Sequence, residues 1–189
     1  KPLLPASGLS DPLAPLYTKR LYYWLRYTYG RKVISGQQEF DEISHIKEVT
    51  GKSPAIGGFD LIDYSPSRIE YGINPWGSAE NWMDWQKEGG GILTLMWHWN
   101  APADLINDAE NPWWSGFYTR ATTFNFAEAL ADPSSANYQL LLRDIDSIAS
   151  QLKKFQDAQI PVLWRPLHEA SGGWFWWGAQ GPEPFIQLW

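Results

Sequence analysis

The sequence predicts an α/β chain with a parallel sheet at its centre, and three observations carry that reading. Four short apolar runs recur along the 189 residues, helical patterns separate them, and 44% hydrophobic against 19% charged residues argues for a folded chain rather than disorder. Residues 1–17 are expected to be an extended lead-in, with four Pro among the first fifteen residues. No basic-then-apolar leader pattern is visible there, so a leader is either absent or removed. Residues 18–29 then read as a helix through Leu21, Tyr22, Leu25 and Tyr29, with Gly30 as its stop.

The four strands are expected at residues 33–37, 54–62, 91–100 and 160–168. Helices are expected between them at residues 41–49, 78–88 and 137–158. The first carries Ile43, Ile46 and Val49, the second opens on Ser78 and carries Trp82 and Trp85, and the third carries Leu141, Ile145, Ile148, Leu152 and Phe155. Residues 183–189 look like the first turns of a further crossover helix. Alternation of this kind builds a sheet buried on both faces. A doubly wound open sheet is the competitor, but no Gly-rich phosphate turn follows the first strand. A (β/α)8 barrel uses about 250 residues. The chain therefore reads as about the first four βα units of such a barrel.

Composition excludes several function classes. Fifteen Lys and Arg against 21 Asp and Glu leave a net charge of −6, a poor match to a phosphate backbone, so no nucleic-acid partner is expected. No apolar stretch approaches the roughly 18 residues of a membrane span, so no membrane insertion is expected. With no Cys there is no thiolate nucleophile, thiolate metal site or disulfide framework. The chain is rich in rings, with 13 Trp, 9 Tyr and 8 Phe. Indoles fill cores and also stack on ligands, so position must sort them.

In parallel α/β folds the reactive groups gather where strands end at their carboxyl side. Those ends carry Gln37-Gln38, Asp60 and Asp63, Trp97-His98-Trp99-Asn100, and Arg165-Pro166-Leu167-His168-Glu169. Strand alternation would put Leu163, Arg165, Leu167 and Glu169 on one face, and Thr94, Met96, His98 and Asn100 on another. An Arg inside a buried strand needs a charge partner, and a structural ion pair serves that need as well as a ligand does. Glu169 precedes a flexible Ala-Ser-Gly-Gly turn and then Trp174-Phe175-Trp176-Trp177. Rings around a carboxyl desolvate it and favour its protonated, acid form. His98 between two Trp reads either as a packing residue or as a ligand-binding one. Trp113 and Trp114, after a Pro-containing loop, suit sugar stacking and loop anchoring equally. His45, flanked by Glu42 and Glu48 in a helix, reads as surface.

The segment Trp164-Arg165-Pro166-Leu167-His168-Glu169, followed by Gly172-Gly173-Trp174-Phe175-Trp176-Trp177-Gly178, closely resembles glycoside hydrolase family 26, mostly endo-β-1,4-mannanases. Residues 59–64, 95–102 and 144–146 support the resemblance, which runs from about Val33 to the end. It implies that residues 1–189 form the N-terminal half of one (β/α)8 catalytic domain with a retaining, two-glutamate mechanism. Glu169 matches the acid/base, and His98, His168, Trp174, Trp113, Trp114 and Arg165 are the implied substrate-binding residues. The family's nucleophile closes a seventh strand, so it is expected beyond residue 189, and the 189 residues alone are expected to be inactive. No cofactor and no metal are implied. The expected substrate is β-mannan or manno-oligosaccharides, which places the enzyme outside the cytoplasm: secreted, cell-surface or periplasmic.

Two other activities of the family, β-1,3-xylanase and mixed-linkage glucanase, remain alternatives. A metal-dependent hydrolase using His98, His168, Glu169 and Asp60 lacks a His-x-His or HExxH pattern. A non-catalytic carbohydrate-binding module would be Trp-rich and acidic too. Such modules are usually β-sandwiches, with which the long helical pattern at 137–158 disagrees.

Overall fold

A computed structural model of the chain describes Gly8, Leu9 and residues 11–189. The expected lead-in lies partly outside these residues, and its last two, Leu16 and Tyr17, already belong to a helix. The order is α1 (Leu16–Thr28), β1 (Gly36–Gln38), α2 (Phe40–Thr50), β2 (Ile56–Asp60), α3 (Pro66–Glu70), α4 (Ser78–Lys87), β3 (Ile92–Met96), α5 (Phe126–Ala131), α6 (Ala136–Asp157), β4 (Val162–Arg165) and α7 (Pro182–Leu188). The strands form one four-stranded parallel sheet in the order β1-β2-β3-β4. β1 aligns with β2 through Gly36↔Ile56, Gln37↔Gly57 and Gln38↔Gly58.

The chain forms two compact units. One holds the described residues up to Phe59 together with Ala79–Leu95 and Lys153–Trp164; the other holds Asp60–Ser78, Met96–Leu152 and Arg165–Trp189. In the first, Phe59 of β2 is fully buried and stacks on Trp82 of α4 at 5.2 Å, with Phe40 at 4.8 Å and Trp85 at 5.8 Å. Gly57 is required by this packing, since a Cβ there would stand 2.7 Å from the Trp85 ring. Leu93 and Leu95, on one face of β3, are fully buried, while Ile92 and Thr94 on the other face are half-buried. α2 ends on Gly51 at φ 70°, the left-handed stop that glycine adopts without a Cβ penalty.

In the second unit, Leu141 and Ile148 of α6 are seven residues apart on one buried stripe, with Asp144 between them and fully buried too. The Asp144 carboxylate accepts from Trp99 Nε1 at 2.9 Å and from Arg143 Nε at 2.9 Å and Nη2 at 2.8 Å. Arg143 also reaches Glu70 at 2.8 Å.

The helices form where the apolar period predicts, but all four strands are shorter than expected, β2 running only from Ile56 to Asp60. Val33 is 98% exposed with nothing to pack against, so β1 starts at Gly36. β3 ends at Met96, because the Asp60 carboxylate takes the His98 N–H, at 3.0 Å, that a neighbouring strand would otherwise use. β4 ends at Arg165, because Leu167 and Glu169 sit at φ 46° and 57°, which no extended strand allows. The expected sharing of faces therefore fails past both strand ends. Arg165 is not a buried strand residue either; half of its side chain is exposed. α3 and α5 were not expected, although both carry local signals. Pro66 sits in the first turn of α3, and Asn125 Oδ1 caps the Glu128 N–H of α5 at 3.2 Å.

Candidate active site

The residues that follow β2, β3 and β4 all fall in the second unit, and there the sequence's candidates converge. Asp60, the last residue of β2, accepts from the backbone N–H of Ile62 and of His98, each at 3.0 Å, through Oδ1. Its other oxygen, Oδ2, pairs with His98 Nδ1. The far side of that ring, Nε2, lies 3.2 Å from His168 Nε2. Three groups from three strand ends thus form one line. Phe117 and Phe175 stand edge-on to His98 at 5.1 and 5.2 Å, and Trp177 lies 5.7 Å from the His168 ring.

His168 is buried, and burial, reinforced by His98 and Arg165, holds its pKa down at about 4. Its imidazole is neutral at pH 7. The next residue, Glu169, is turned the other way: 44% of its side chain is exposed. The desolvation expected from its aromatic sequence neighbours does not occur. Trp176 and Trp177 point inward, their Nε1–H groups donating to the Trp99 carbonyl at 2.7 Å and the His168 carbonyl at 3.0 Å. Those two indoles brace the backbone at the ends of β3 and β4. Only Trp174 meets the carboxylate, donating from Nε1 to Oε2 at 3.1 Å. Arg165 Nη2 stands 3.6 Å from Oε1, an exposed pair of small energetic weight.

Trp174 is held out by its backbone. Thr119 N–H donates to the Trp174 carbonyl at 2.8 Å, the Thr119 hydroxyl donates to the Gly173 carbonyl at 2.8 Å, and Tyr118 bridges Phe175 antiparallel. Half of the Trp174 surface stays exposed beside the carboxylate, an apolar plate next to an acid. Trp113 and Trp114 separate in role. Trp113 lies parallel to Tyr71 at 5.0 Å with the Arg68 guanidinium 5.5 Å from its ring, so much of its surface is engaged. Trp114 is 54% exposed, while its carbonyl is held by Arg68 Nη1 at 2.8 Å.

Chemically, the arrangement offers an accessible carboxyl able to give or take a proton, an indole plate suited to the apolar face of a sugar ring, and an imidazole pair behind them, His168 buried and His98 partly exposed. Among the described residues no three His, Asp or Glu side chains gather as metal ligands would. Asp60 was visible in the sequence as a polar strand end, but not as the partner of His98. Thirty-eight residues separate the two, and no local pattern links them.

The chain matches the profile of glycosyl hydrolase family 26 over residues 10–189. It is 53% identical over 181 residues to a mannan endo-1,4-beta-mannosidase of Thermothelomyces thermophilus, covering 96% of this chain and 37% of that protein. It superposes on the crystal structure of the Podospora anserina GH26-CBM35 β-(1,4)-mannanase with a TM-score of 0.96 at 54% identity, over all of this chain and 42% of that one. A β-mannanase from a symbiotic protist of the termite Reticulitermes speratus, solved with a gluco-manno-oligosaccharide, matches at a TM-score of 0.80 and 31% identity, over 94% of this chain and 56% of that one. The chain thus spans less than half the length of the first two relatives.

Proposed function

The chain belongs to glycosyl hydrolase family 26, and from that membership we propose that it carries the acid/base half of a retaining endo-β-1,4-mannanase site. The observation that supports this most is the Glu169 carboxyl, open to solvent, bonded by Trp174 and seated behind the β4 end next to the buried His168. A retaining glycosidase needs one carboxylic acid to protonate the departing oxygen and a second carboxylate about 5–5.5 Å away to attack the anomeric carbon. Glu169 fills the first role. Asp60 is committed to His98 and two backbone N–H groups, which leaves it no free edge for attack. Membership of the family supports a Glu outside these 189 residues as the nucleophile, with residues 1–189 as the N-terminal half of one (β/α)8 catalytic domain.

In this reading a mannan chain lies across the strand ends. Trp174 carries a sugar against the acid, Trp114 offers a second stacking face, Trp113 steadies the loop under it, and Arg165 binds beside Glu169. His98 and His168 form the floor. The proton passes from Glu169 to the glycosidic oxygen as the bond breaks, and Glu169 later takes one from the water that frees the sugar. No cofactor takes part. A polymeric substrate places the enzyme outside the cytoplasm.

The test is the anomeric configuration of the first product released from mannohexaose by the full-length enzyme, followed by proton NMR. The β-anomer is expected first; initial α-product would overturn the retaining assignment. Trp174→Phe keeps a ring but removes the N–H to Glu169. Its kcat on mannan is expected to fall about fivefold, the weight of one hydrogen bond of about 1 kcal/mol. An unchanged kcat in steady-state assays would show that bond to be idle.

A further inference from the structure

The line Asp60–His98–His168 has a direction, and the direction follows from what each end can accept. Asp60 Oδ2 is a carboxylate oxygen, so the proton between it and His98 belongs to His98 Nδ1. A neutral His98 then presents only a lone pair at Nε2, and His168 must donate from its own Nε2 across 3.2 Å. That leaves a bare lone pair at His168 Nδ1, which is buried and has no hydrogen-bond partner. The opposite arrangement would strand an N–H in the same place, and a buried donor without an acceptor is the rarer and costlier defect.

We propose that Asp60 is a positioning residue for the acid/base centre: by keeping the His98 proton on Nδ1 it makes His98 Nε2 an acceptor, and so fixes the His168 ring beside Glu169 with its own proton on Nε2. The proposal rests on the reading of Glu169 as the acid/base. The His168 ring matters to Glu169 through the backbone. Its carbonyl takes the Trp177 indole N–H at 3.0 Å, and the very next residue, Glu169, stands in the left-handed region at φ 57°, a conformation its surroundings must hold. A His168 ring that turned or took up a charge would disturb both.

Asp60→Asn tests this with little change of shape. The two backbone N–H groups at Oδ1 select the amide oxygen, so the amide NH2 must replace Oδ2 and face His98 Nδ1. Nδ1 then becomes the acceptor and the His98 proton moves to Nε2. His168 must answer with a lone pair at Nε2, and its proton is driven to the partnerless Nδ1. In the full-length enzyme labelled with 15N-histidine, two-bond 1H–15N spectra report each tautomer directly. The wild type is expected to show His98 as Nδ1–H and His168 as Nε2–H. In D60N both patterns should reverse, with kcat on mannan lowered about ten- to a hundredfold, the range known for carboxylate partners of metal-bound histidines. Asp60→Glu, which keeps a carboxylate, should restore the wild-type tautomers and part of kcat. A wild-type spectrum with His168 as Nδ1–H overturns the proposal, whether or not D60N folds. So does a D60N enzyme with near-normal kcat. Loss of activity in a Glu169 variant alongside an unaffected D60N would sink the role of Asp60 and leave that of Glu169 standing.

Discussion

Glu169→Gln in the full-length enzyme is expected to lower kcat on β-mannan by about a hundred- to ten-thousandfold, the span that a positioned general acid supplies. The amide matches the carboxyl in shape and can still accept the Trp174 N–H, so binding should persist. What it cannot do is hand over a proton. The loss should depend on the leaving group. A dinitrophenolate departs without protonation, so the first step on a dinitrophenyl β-mannoside should proceed at a near-normal rate. The second step still needs a base to activate water, so the glycosyl-enzyme should accumulate and KM should fall. Steady-state and burst kinetics on the two substrates check this. Equal losses on both would point to a structural role for Glu169.

The second large effect concerns stability. Asp144 is fully buried, and burial outweighs the help of Trp99 and Arg143, lifting its pKa to about 6. An unfolded Asp titrates near 3.9. Between about pH 4 and 6 the folded protein holds a proton that the unfolded chain has released, so this group's contribution to stability falls as pH rises through that window and stays low above it. The two-unit gap corresponds to roughly 3 kcal/mol. His168 works the other way: its folded pKa of about 4 lies below the free value near 6.5, so stability is lost as pH falls through 6.5 towards 4. The two contributions oppose each other and flatten the wild-type profile between pH 4 and 6. Asp144→Asn removes only the first. Relative to wild type, D144N should gain roughly 3 kcal/mol between pH 4 and 7, and its own stability should rise with pH across that range. Urea melts of the full-length protein at pH 4, 5, 6 and 7 measure it. Parallel profiles for the two proteins would contradict the charge burial at Asp144.

The sequence-structure relation is clear where information is local. The stripe through Leu141, Ile148 and Phe155 is one helical face, and all three residues are buried. β2 and β3 follow from their apolar cores. Strand ends were overrun because Trp97, Trp99 and Leu167 are apolar, and hydropathy alone cannot distinguish a buried turn from a buried strand. The turn at β3 depends on Asp60, and Trp99 on an indole 77 residues away. The capping pair Asn125 and Glu128 and the Ser65-Pro66 step were legible signals for α5 and α3. At the candidate site, segment 164–178 marked Glu169 and His168 and segment 95–102 marked His98, and the structure brings the two imidazoles together. The surroundings of Glu169 were not, because neighbours in sequence are not neighbours in space: of Trp174, Trp176 and Trp177, two turn inward and one reaches the acid.

Azide rescue of Glu169→Ala in the full-length enzyme, with a dinitrophenyl β-mannoside as substrate, tests the acid/base assignment of Glu169 most directly, through its role as the base of the second step. With the base gone and space left for a small anion, azide should capture the glycosyl-enzyme, restore turnover in a concentration-dependent way and yield the β-mannosyl azide. An unaltered rate with no azide adduct, or an α-configured adduct, would show that Glu169 is not the acid/base of a retaining enzyme.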